Sequence, residues 1–107
     1  MLTIIETLTF TRLWPYYWTE EERGDFVAWL AQHPTAGDVV KGSGGVRKVR
    51  WSRQGSGKSG GVRVVYFNRL EDGQLWLLLL YAKSSLDSMA GHVLREMKDE
   101  LEKTLGR

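Results

Sequence analysis

A chain of 107 residues has the length of one domain, and 42% apolar residues with five Trp suffice for a packed core. There is no Cys, which excludes disulfides, thiolate catalysis and cysteine metal sites and fits a reducing compartment. No apolar run is long enough to span a bilayer, and MLTIIETLTF lacks the basic start and apolar core of an export signal, so a cytoplasmic protein without membrane contact is expected.

The formal net charge of +2 hides a strong segregation. Residues 1–40 carry six acids against two bases, residues 41–70 carry eight Lys/Arg and no acid, and residues 71–107 carry seven acids against five bases. A cationic stretch between acidic ends points to a phosphate-rich ligand. The plainer alternative is a solvated face paired with the acidic helices.

In chain order, the Thr/Ile-rich run Leu2 to Thr7 predicts an edge strand. Phe10, Leu13, Trp14 and Tyr17 have helical spacing, but Pro15 restricts that segment to a short helix or two broken turns. Thr19 to Glu22 is a capping box, and three acids in the first turn suit the helix dipole. Phe26, Trp29 and Leu30 follow at i, i+3, i+4, and Pro34 ends this helix near Gln32. Thr35 to Gly45 reads as a loop.

Val46 to Trp51 predicts a strand with Val49 and Trp51 facing the core and Lys48 and Arg50 opposite. Arg47 then shares the inward parity, so a bulge or the strand start must let it out. Ser52 to Gly61 is a Gly/Ser/Lys loop. Val62 to Phe67 alternates again, with Arg63, Val65 and Phe67 on one face. Glu71-Asp72-Gly73 signals a hairpin turn. Leu75 to Tyr81 is apolar on both parities, as in a central strand covered on both sides. Ser88 is placed to cap a last helix from Met89 to about Lys103, with Val93, Leu94, Met97, Leu101 and Leu105 as its stripe and Gly106 as its stop. The order predicts one α+β domain over residues 1–107: a small, twisted antiparallel sheet with two N-terminal helices and one C-terminal helix, all packed on one side.

Gly57-Lys58-Ser59 imitates the end of a phosphate-binding P-loop, but Ser52 stands where that motif needs Gly, and a strand rather than a helix follows. His33 and His92 have no second ligand at metal spacing, so no metal and no cofactor are expected. What remains is a basic set, Arg47, Lys48, Arg50, Arg53, Lys58, Arg63 and Arg69, interleaved with Trp51, Tyr66 and Phe67. Cations on a strand face with aromatic rings suit single-stranded RNA, whose phosphates pair with Arg/Lys and whose bases stack. Trp51 and Phe67 read more plainly as core. A protein partner with an acidic peptide would meet the same patch.

The segments Gly42 to Trp51, Gly55 to Tyr66 and Leu79 to Lys83 resemble the HigB branch of the RelE toxin superfamily. His33 to Val40 is similar to that family's helix-to-loop segment, and the resemblance runs from about Phe10 to Lys83. It implies a toxin of a type II toxin–antitoxin pair that cleaves mRNA in the ribosomal A site. A cognate antitoxin, usually of helix-turn-helix type, would neutralise it. The implied chemistry is metal-free: a ribose 2′-hydroxyl attacks the adjacent phosphate and expels the 5′-oxygen, which needs a base, an acid and positive charge on the phosphorane. The matching positions are Lys48, Arg50, Arg63 and Lys83. The resemblance implies Lys48 or Lys83 in proton transfer, with Arg50 and Arg63 on the scissile phosphate. Arg47, Arg53 and Lys58 would hold mRNA or ribosomal RNA, and Tyr66 and Tyr81 are the nearby phenols of the RNA surface. Ser84 stands where some relatives carry a further basic residue. The competing reading is a non-catalytic RNA- or DNA-binding module, a degenerate toxin.

Overall fold

The computed structural model of the chain describes residues 2–51, 61–82 and 91–104. The β-branched run near the start forms strand β1 (Thr3–Glu6). Thr7 then caps a short helix α1 (Leu8–Leu13) by accepting from the Phe10 N–H at 3.2 Å. Pro15 sits in a 3-10 turn over Trp14–Tyr16, where its missing N–H is tolerated. Helix α2 (Glu20–Gln32) starts at the expected capping box: Thr19 Oγ1 accepts from the Glu22 N–H at 3.1 Å, and Glu22 Oε1 accepts from the Thr19 N–H at 2.7 Å. Thr19→Ala is expected to cost about 1 kcal/mol of stability, read as a lower urea midpoint at unchanged slope.

The strands that follow are β2 (Asp38–Val39), β3 (Arg47–Trp51), β4 (Val62–Arg69) and β5 (Gln74–Ala82), and the last helix is α3, described over Gly91–Thr104. A 3-10 turn over Leu70–Asp72 joins β4 to β5 and closes on Gly73 at φ 67°. The expected start of α3 at Ser88 and Met89, and its expected end at Leu105 and Gly106, lie outside the described residues. No described helix is long and apolar enough to cross a membrane.

The α+β class holds, with two corrections to its layout. The sheet is mixed, in the order β1-β5-β4-β3-β2: the first strand adds to the far edge of β5 in parallel, Ile4 opposite Leu75, while the other neighbours are antiparallel. The helices also cover both faces. Phe26 and Leu30 of α2 pack with Val49, Val64, Tyr66 and Leu75 on one face. Leu94 of α3, with Met97 and Leu101, packs with Val65, Phe67 and Trp76 on the other. Both parities of β4 and β5 are apolar, so each face needs its own cover.

One register fault organises the sheet. Along the β4–β5 ladder Val65 pairs with Leu79 but Tyr66 pairs with Leu77, a β-bulge centred on Leu78. Before it Leu75 and Leu77 face α2; after it Leu79 and Tyr81 face α3. The bulged Leu78 carbonyl accepts from the Thr7 hydroxyl at 2.9 Å, so the backbone group sent out of register is still satisfied.

Candidate functional site

The position of β3 follows from aromatic packing. Trp51 lies edge-on to Phe26 at 5.3 Å between centroids and against Trp29 at 5.0 Å, and Trp29 stacks on His33 at 4.8 Å. Each such pair adds about 1 kcal/mol beyond its buried area. With Trp51 and Val49 held toward α2, strand alternation sends Lys48 and Arg50 to the α3 face, as their spacing predicts.

Arg63 meets them there. The register places Arg50 directly opposite Arg63, and Arg63 directly opposite Tyr81 on its other side. Two residue pairs along, Lys48, Val65 and Leu79 form the next row on the same face. Directly opposed residues have Cβ atoms about 5 Å apart, a spacing at which like charges repel. Two arginines side by side with a lysine one row away concentrate positive charge on this face, which suits a bridging anion. Arg50 is exposed and Lys48 and Arg63 are half-buried, so the row opens to solvent on its β3 side. No family model matches this chain. Among the described residues no three His, Asp or Glu side chains are grouped to hold a metal ion.

The structure buries or engages elsewhere four side chains of the expected basic and aromatic set. Arg47 lies on the α2 face at the start of β3, and its guanidinium donates to the Thr35 carbonyl at 2.8 Å and the Gly37 carbonyl at 3.4 Å, so it clips the loop before β2 to the sheet. Tyr66, its cross-strand partner, is fully buried, and its hydroxyl donates to the Ala36 carbonyl at 2.7 Å and the Pro34 carbonyl at 3.0 Å. Tyr81 does share the row with Arg63, but it is 3% exposed and forms floor rather than a stacking platform. Arg69 is committed elsewhere, to Asp72 at 3.0 Å and Glu102 at 3.8 Å. Lys83, Arg53 and Lys58, with the P-loop-like Gly57 to Ser59, lie outside the described residues.

Burial pushes the Tyr66 phenol up to about 12, against the opposing pull of the Arg47 cation. The folded state thus holds this proton more tightly than the unfolded chain, whose phenol titrates near pH 10. The contribution is intact below pH ~10 and is lost as pH rises through ~12. Tyr66→Phe is expected to start about 1–2 kcal/mol less stable, because Ala36 loses its donor and Pro34 one of two. The wild type then loses on the order of 2 kcal/mol more than the variant between pH ~10 and ~12, measured by urea melts across that window.

Sequence reading missed what brings Tyr81 to this row. The bulge lies within four consecutive leucines, Leu77 to Leu80, where a change of face leaves no compositional trace.

Proposed function

We propose that this chain is a ribosome-dependent mRNA endonuclease of the RelE/HigB type, the toxin of a type II toxin–antitoxin pair. The observation that carries the reading is the cross-strand pair Arg50–Arg63 with Lys48 on the same face. In-line attack by a ribose 2′-hydroxyl places extra negative charge on the phosphorane oxygens. Arg50 and Arg63 present planar, paired N–H donors that match a phosphate, and they keep their charge throughout. One of Lys48 and Lys83, in its neutral amine form, takes the 2′-hydroxyl proton, and the other, as an ammonium, gives a proton to the leaving 5′-oxygen. Arg53 and Lys58 add charge along the RNA. The working location is the cytoplasm, and the partners are A-site mRNA, ribosomal RNA and a helix-turn-helix antitoxin.

The burial of both nearby phenols supports a second reading, an RNA-binding module without catalysis, because neither Tyr66 nor Tyr81 is exposed to protonate the leaving 5′-oxygen. Induced expression in a bacterial host separates the two. The endonuclease arrests growth and leaves mRNA ends, mapped by primer extension, within codons. Normal growth with intact mRNA sinks the enzyme, and co-sedimentation with ribosomes in that case selects the binding module.

A further inference from the structure

A second feature lies away from the basic row. Between α1 and α3 a cavity of about 370 Å³ opens, with Leu78, Met97 and Leu101 as its apolar lining and Thr7, Thr9 and Val93 among its rim residues. Leu8 sits between the two rim threonines and is 64% exposed, pointing out of the molecule beside the cavity rather than into it. One surface thus carries an apolar knob and an apolar hole side by side.

The charges around them are also complementary. Arg12 lies one helical turn from Leu8 on the outer side of α1, and Glu96 lies on the cavity rim. Both are exposed, and neither has an ion-pair partner among the described residues. We infer that a second copy of this chain covers the cavity, in a two-fold dimer where Leu8 of each copy fills the hole of the other and Arg12 faces the other copy's Glu96. The symmetry argument is direct: when knob and hole are neighbours on one face, a two-fold axis between them satisfies both at once, and the contact closes instead of growing into a chain. The cavity exceeds one leucine side chain, which leaves space for the aliphatic stem of Arg12. Two such insertions make a small interface, at the weak end of specific association, so the dimer depends on concentration. The contact uses none of Lys48, Arg50 and Arg63 and stands whether or not the chain cleaves RNA.

Sedimentation velocity over a rising concentration series tests it. The wild type passes from monomer to dimer. Leu8→Asp, or Val93→Asp on the rim, raises the midpoint concentration by at least about tenfold with an unchanged melting profile. Arg12→Glu and Glu96→Arg each weaken the dimer, and the double reversal in one chain restores it, because each copy then offers the swapped pair to the other. A wild type that stays monomeric throughout, a dimer indifferent to Leu8→Asp, or a double reversal no better than the single ones overturns the assignment and leaves the cavity to another occupant.

Discussion

Arg63→Ala is expected to lower the proposed ribosome-dependent mRNA cleavage by about 10²–10³-fold and to abolish the growth arrest proposed on induction. Arg63 is the central member of its row, with Arg50 opposite it on β3 and Tyr81 opposite it on β5, so it borders both the open side of the row and its floor. Because Arg63 is half-buried, its removal also disturbs packing, and a second variant separates the two effects. Arg50 is exposed at the open side of the row, so Arg50→Ala is expected to disturb packing little while cleavage falls steeply. Arg63→Lys keeps the charge but loses the planar pair of donors, and an intermediate rate is expected. Full toxicity in a folded Arg50→Ala, Arg63→Ala double variant would exclude this row as the reacting site.

The second large effect concerns stability. Gly37→Ala is expected to cost about 3 kcal/mol, with a matching drop in the urea midpoint. Gly37 has φ 75°, a region that L side chains rarely adopt, and a Cβ there would run into the Lys48 carbonyl oxygen and lie 2.9 Å from Val49 Cα. The clash is with backbone, so no side chain can swing aside. The loop from Pro34 to Gly37 would lift off β3, and with it the carbonyls that hold Arg47 and Tyr66. Since β3 also carries Lys48 and Arg50 on its other face, cleavage should fall together with stability. Gly24→Ala is the control: it lies inside α2 with nothing within 4 Å of an added Cβ, and is expected to gain about 0.5–1 kcal/mol.

How far the fold was legible depended on the range of the interactions that decide each element. The capping box at Thr19 and Glu22, the stop before Pro34 and the split of Val49 and Trp51 from Lys48 and Arg50 are set by residues within a few positions of one another, and all of them hold. The side on which a helix packs is set by distant chain. Strands apolar on both parities announce that both faces need cover but do not say which helix supplies it, so local pattern points to one-sided packing where the structure is two-sided. The parallel docking of β1 on β5 joins residues about seventy positions apart and leaves no local mark. Within the candidate site, alternation brought Lys48, Arg50 and Arg63 together correctly. It could not exclude Tyr66, because an aromatic residue among cations looks the same in sequence whether it meets a base or turns inward to bond Pro34 and Ala36. Arg47 was flagged by its parity, and the carbonyls of Thr35 and Gly37 are what let it stay there.

The extra residue at Leu78 has a consequence for how this chain tolerates change. A strand is a two-beat rhythm, and at Leu78 β5 skips a beat: every later side chain of β5 stands on the face that its sequence neighbours would have denied it. Tyr81 therefore reaches Arg63 by counting rather than by chemistry. Substitutions along Leu77 to Leu80 that keep the volume leave this phase untouched, and deleting the bulged leucine would straighten the ladder with Tyr81 still opposite Arg63, whereas one residue more after the bulge would turn Tyr81 toward α2 and strip the row of its floor without altering one residue in it. The Thr7 hydroxyl, bonded to the Leu78 carbonyl from the opposite edge of the strand, is the pin that holds the skipped beat in place. In this fold the spacing of an apolar strand is as much a part of the basic face as the arginines that form it.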